Sequence, residues 1–107
     1  MSPRRNINSD GPLDLVIHEA SRLTIVSVLN ECDVADFNFM LATTGLTRGN
    51  LSTHMAKLIA AGYVSEDKQF VDRKPCTRYR LTDAGRKAFE AYRAAWQRIT
   101  QGTNGAG

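Results

Sequence analysis

Leu46-Thr47-Arg48-Gly49-Asn50-Leu51-Ser52-Thr53-His54-Met55-Ala56-Lys57-Leu58-Ile59-Ala60-Ala61-Gly62 is the stretch that the rest of the chain serves. At 3.6 residues per turn, Leu51, Met55, Leu58 and Gly62 fall on one narrow face, with Ile59 at its edge. Gly49, Asn50, Thr53, Lys57 and Ala60 fall opposite. Thr47 is placed to cap the first turn with its hydroxyl, and Gly62 to end the helix. No acid occurs between Leu46 and Ser65, although an ordinary solvated helix mixes both signs of charge. One face is built to anchor, and the other offers short hydrogen-bonding groups and cations. The pattern predicts a helix that enters a DNA groove. A plain amphipathic surface helix is the blander reading of the same residues.

Upstream, Leu13, Val16, Ile17, Ala20, Leu23, Val26 and Leu29 recur at three and four. That period predicts a short turn broken near His18 and Glu19, then a longer helix capped by Ser21. Val34-Ala35-Asp36 allows a very short strand. A second helix follows, capped by Asp36 or Asn38, with Phe37, Met40 and Leu41 inward. It stops at Thr44-Gly45, the tight turn that a helix-turn-helix needs, and Leu46 plugs the space between the two helices. Residues 1–12 carry Arg4 and Arg5 among Pro, Asn, Ser and Gly. They read as a flexible arm.

Downstream, the period shifts towards two. Val64, Glu66, Lys68 and Phe70 share one side of a strand, and Thr77, Tyr79 and Leu81 alternate with Arg78 and Arg80 in another. Between them Val71-Asp72-Arg73-Lys74-Pro75 reads as a basic turn with Pro75 at its tip, where a missing N–H does no harm. A helix-turn-helix followed at once by such a hairpin is a winged helix, mainly α with a small β-hairpin. Thr82 and Asp83 then open a last helix. Gly85, Phe89, Tyr92, Trp96 and Ile99 share one stripe of it, and a glycine-rich tail from 101 to 107 is expected to be disordered. Residues 13–100 are thus one domain.

The net charge is only +3, but it is polarised. Between Asp10 and Gly45 six acids face one base, Arg22, whereas between Leu46 and Thr82 seven bases face three acids. A basic face on a nearly neutral domain is the footprint of a polyanion partner. There is no apolar run of the roughly 18 residues that cross a bilayer, and the N-terminus lacks a signal-peptide core. A cytoplasmic protein is the default expectation. Two cysteines, Cys32 and Cys76, fit neither a disulfide scaffold nor a zinc-finger spacing. Cys76 does stand among Arg73, Lys74 and Arg78, cations of the kind that favour a thiolate.

Several motifs together resemble the small winged-helix transcriptional regulators of the MarR/ArsR type, in particular the short single-domain group. They are Ile17-His18-Glu19-Ala20-Ser21-Arg22-Leu23, Ala35-Asp36-Phe37-Asn38-Phe39, and the segment from Thr44 to Ser52. Ala61-Gly62-Tyr63-Val64, the run from Phe70 to Pro75 and the run from Tyr79 to Arg86 complete the set. The resemblance implies a three-helix core with a wing, a homodimer, and operator binding by the helix that begins at Thr47. No paired-cysteine motif of the metal-sensing ArsR members occurs, and the chain is too short for the flanking helices of larger MarR members. Neither a cofactor nor a small-molecule effector is therefore implied.

The candidate DNA-binding residues are Thr47, Arg48, Asn50, Ser52, Thr53, His54, Lys57, Arg73, Lys74 and Arg78. Arg48 suits guanine and Asn50 adenine in a bidentate contact. Ser52 and His54 lie to the sides, towards phosphates, and Arg73 and Lys74 ride on the wing. Phe89, Tyr92, Trp96 and Ile99 are the candidate dimer interface. No nucleophile-base pair, carboxylate pair, metal set or phosphate-cradling glycine loop suggests an enzyme. The competing role is a winged helix that docks a protein without binding DNA. Such a module would show apolar residues at Asn50, Thr53 and Lys57.

Overall fold

The computed structural model describes residues 13–106, with side chains described from 13 to 101. The basic arm of residues 1–12 lies outside the described residues. The elements run α1 (Ala20–Glu31), β1 (Ala35–Asp36), α2 (Phe37–Thr44), α3 (Arg48–Ala60), β2 (Val64–Val71), β3 (Lys74–Leu81) and α4 (Asp83–Ala106). Among the described residues, four helices pack with a three-stranded antiparallel sheet in the order β1-β3-β2, a winged helix as the sequence predicts.

The core is built from the anticipated stripes. Ile25, Val26 and Leu29 of α1, Met40 of α2, and Leu51 and Leu58 of α3 are each fully buried, together with Ile17. Burying each such side chain contributes roughly 1.5–3 kcal/mol. Val64, Tyr79 and Leu81 supply the sheet's side of this core. Leu46 packs against it from the turn between α2 and α3, as expected.

Each boundary has a local cause. α1 begins two residues earlier than its sequence suggests, because Glu19 rather than Ser21 is the cap. The Glu19 carboxylate accepts the Arg22 N–H at 2.9 Å, and the Glu19 backbone is extended. α2 takes Asp36 as its cap, whose carboxylate accepts the Phe39 N–H at 2.8 Å. It ends on Gly45 at φ 75°, where glycine avoids the steric cost of a left-handed residue. α3 ends in a Schellman turn: the Tyr63 N–H reaches Leu58 O and the Gly62 N–H reaches Ile59 O, with Gly62 at φ 82°. Thr82 caps α4 by accepting the Gly85 N–H at 2.9 Å.

One expectation is corrected. Pro75 is not at the tip of the hairpin but inside β3, opposite Phe70. The turn is the pair Asp72 and Arg73 alone, at φ 51° and 68°. Two residues of positive φ match the twist of the flanking strands, so pairing continues to Val71 and Lys74.

Candidate nucleic-acid interface

α3 owes its placement to the residues at its back. Leu51, Met55 and Leu58 are buried to 2% exposure or less, which fixes the helix's rotation about its own axis. Arg48, Gly49, Asn50, Ser52, Thr53 and Lys57 are in consequence all exposed. Thr47 is exposed too, but its Oγ1 is engaged as the cap, accepting the Asn50 N–H at 3.1 Å. The Arg48 guanidinium lies 5.7 Å from the centroid of the Phe37 ring, a cation–π contact that steadies it at the leading end of α3. Asn50, Thr53 and Lys57 form the outward surface behind it.

His54 is held differently. Its ring is half-buried and turned towards the start of α1, where Arg22 Nη1 donates to Nδ1 at 3.2 Å and Glu19 Oε1 lies 3.7 Å away. Arg22 also donates from Nε to Val16 O at 2.6 Å, so one guanidinium ties the segment before α1 to α3. The backbone N–H of Arg22 is the foremost cause holding the Glu19 carboxyl below its usual range, aided by the charges of His54 and Arg22 against burial. A second tie joins the same segment to the far end of α3. Tyr63 Oη donates to Asp14 Oδ2 at 2.5 Å, and burial with that carboxylate pushes the Tyr63 hydroxyl up to about 12. Composition alone did not mark Arg22 as structural, although it is the lone base of the acidic half.

The wing bears its cations less firmly. Arg73 and Lys74 are exposed at the turn. Arg78 is half-buried on the outer face of the sheet, in register with Asp36 on β1 and Asp67 on β2. Arg78 thus has an acid across from it on each neighbouring strand, whereas Lys74 stands opposite the apolar Val71. Arg80 shares that outer face, is exposed, and was not singled out from sequence. Together with Arg78, Val34, Ser65, Asp67 and Gln69, it lines a cleft of about 270 Å³. Cys76 is a half-buried free thiol on the same strand, and Cys32 is a free half-buried thiol after α1.

The aromatic stripe of α4 divides. Phe89 and Tyr92 are each 6% exposed and pack in the chain's own core, whereas Trp96 and Ile99 remain 48% and 46% exposed. A groove of about 490 Å³ runs beside Trp96, lined by His18, Glu19, Ala20, Leu23 and Tyr92. His18 Nδ1 lies 3.0 Å from Tyr92 Oη, which pins the segment before α1 onto α4. Gly85 has a separate duty. A Cβ there would run into the Tyr63 carbonyl, which already accepts the Thr82 N–H.

No helix among the described residues is long and apolar enough to cross a membrane. The structure is similar to a transcriptional regulator homologue from Pyrococcus horikoshii OT3, with a TM-score of 0.80 at 25% identity. The match covers 96% of this chain and 98% of that one. A PadR-family transcriptional regulator from Eggerthella lenta shares the fold at a TM-score of 0.65 and 23% identity, over 99% and 96% of the two chains. A protein of Methanocaldococcus jannaschii is 30% identical over 77 residues, which cover 72% of this chain and 84% of that relative. The winged helix DNA-binding domain family matches residues 21–100, the whole span from the first turn of α1 to the Trp96 end of α4. This chain belongs to that family, and its structure is that of a transcriptional-regulator-like winged helix.

Proposed function

We propose that the chain is a sequence-specific regulator that binds double-stranded DNA, with α3 in the major groove and the wing on the backbone or in the minor groove. One observation carries the reading. The three buried anchors of α3 turn outwards a face on which every side chain is small, polar or basic, with no acid on the helix at all. That is the surface a polyanion requires, and a docking module would expose apolar groups there. Arg48 and Asn50, in the leading turn, then read base edges, the former bidentate to guanine and the latter to adenine. Thr53 and Lys57 follow along the groove, Thr47 and Ser52 approach phosphates, and Arg73 and Lys74 hold the backbone from the wing. Of the ten candidates, His54 and Arg78 are the least available, the first engaged with Arg22 and the second flanked by acids. Selection of bound duplexes from a random pool tests the reading. A defined sequence should emerge, and recovery of unenriched duplexes would contradict it.

The regulator is proposed to act as a homodimer through the exposed Trp96 and Ile99, with Phe89 and Tyr92 as the rigid backing of that surface. Two exposed apolar side chains one turn apart, with a groove of about 490 Å³ beside Trp96, support the reading. Two-fold symmetry would set the reading helices about 34 Å apart, one turn of DNA. Sedimentation equilibrium at micromolar concentration should show a dimer that Trp96→Ala weakens. A monomer there would exclude it.

A further inference from the structure

The wing outruns the core that it grows from. In β2 only Val64 is buried, and every residue from Ser65 to Val71 is exposed. Seven strand rises carry the chain about 23 Å from Val64 to the turn. A two-stranded ribbon of this kind is marginal in water, yet this one ends in apolar side chains. Phe70 is 70% exposed, far more than any other described aromatic residue, and Val71 beside it is 40% exposed. Pro75 lies directly across from Phe70, and Lys74 across from Val71.

Strand alternation puts Phe70 on the same sheet face as Val64, Tyr79 and Leu81, the face that packs on the helices. Phe70 therefore points to the side of the wing on which α3 lies. The charges at the tip say what covers it. Immediately beyond Phe70 come Arg73 and Lys74 against a single acid, Asp72, so a polyanion is drawn to the tip and an uncharged apolar partner gains nothing from it. A deoxyribose wall and the face of a base offer apolar surface set between phosphates. Turn geometry contributes as well: a two-residue loop makes the tip narrow, and the cations flank the ring.

We infer that Phe70 is a minor-groove wedge, laid against sugars and inserted part-way into a base step while Arg73 and Lys74 hold the adjoining phosphates. The inference rests on the DNA-binding reading above and adds to it a deformation of the duplex. Apolar wedges of this kind unstack a step and kink DNA by roughly 20° or more. Flexible pyrimidine–purine steps yield most easily, so Phe70 adds a preference at a position that no side chain reads by hydrogen bonds.

The test uses a duplex selected by the protein, carrying a donor and an acceptor dye at its ends and a fluorescent adenine analogue beneath the wing. The wild type should shorten the end-to-end distance and brighten the analogue. Phe70→Ala should abolish both signals and bind roughly five- to hundredfold more weakly, while Phe70→Leu, still an apolar wedge, keeps most of each. Because Phe70 is exposed, thermal unfolding of both variants should match the wild type. If Phe70→Ala bends and brightens the duplex as the wild type does, or the wild type binds it unbent, the wedge is wrong and the regulator reading stands. If the wild type binds no duplex at all, both are wrong.

Discussion

α3 and the β2–β3 hairpin both present cations to the solvent, but they are held in opposite ways. α3 is fastened along its length by Leu51, Met55 and Leu58, capped at Thr47, closed by the turn at Gly62, and tied to the segment before α1 at its middle and just past its end. The hairpin is fastened only at its root, by Val64, Tyr79 and Leu81, and its tip depends on two residues at positive φ. A helix that cannot rotate or slide keeps its side chains within the tolerance that base reading demands. A ribbon that can flex adapts to a backbone or bends it. Under the proposed function, the fold separates a rigid reader from a compliant clamp.

The largest effect expected is loss of the reader's footing. Leu58→Ala should cost about 2–5 kcal/mol of stability, since Leu58 is fully buried. Phe70→Ala, at the far end of the wing, should stay within about 0.5 kcal/mol of the wild type. Urea unfolding of the two variants measures the contrast directly, and equal losses would erase it.

Tyr63→Phe loosens only the tie at the end of α3. Removal of the hydroxyl strands Asp14 Oδ2 and should cost about 1–3 kcal/mol. The folded chain holds the Tyr63 hydroxyl protonated up to about 12. Its contribution is therefore complete below the unfolded value of about 10 and fades as pH rises from there to about 12. Stability should fall with pH across that interval in the wild type and less steeply in the variant, where Tyr79 and Tyr92, also raised by burial, keep the remainder of the slope.

The turn of the wing responds the other way. Arg73 at φ 68° carries a left-handed strain of about 1–2 kcal/mol that glycine would not. Arg73→Gly should raise thermal stability slightly while weakening every duplex alike, and a gain in both would show that Arg73 touches no phosphate.

Smallest is the acid response at Glu19. Its carboxyl is held low, mainly by the Arg22 N–H, so its contribution is present above the unfolded carboxylate range, about 4.3, and is lost as pH falls through the lower folded value. Glu19→Gln should flatten the acid limb of the stability curve. An unchanged limb would place the acid sensitivity elsewhere.

Most of this architecture was legible in the residue pattern. The apolar period of α3, the Thr44-Gly45 turn and the alternation in β3 each follow from side chains that choose a single face. What escaped was decided between elements. Glu19 displaced Ser21 as the cap because its carboxylate reaches the Arg22 N–H, which no local preference announces. Pro75 was misplaced because positive φ at two non-glycine residues carries no compositional sign. Phe89 and Tyr92 share a stripe with Trp96 and Ile99, but only the packing of α4 against the core divides buried from exposed. The engagement of the His54 ring by Arg22, distant in sequence, is likewise set between elements.

The division between reader and clamp is tested most directly by titrating the wild type, Asn50→Ala and Lys74→Ala against the selected operator and a scrambled duplex at several salt concentrations. Asn50→Ala should cost about 1–3 kcal/mol on the operator and little on the scrambled duplex. Lys74→Ala should weaken both alike and lower the slope of log K against log salt by about one unit. If the two variants lost the same affinity on both duplexes, with the same change in slope, α3 would be one more phosphate anchor and not the reader.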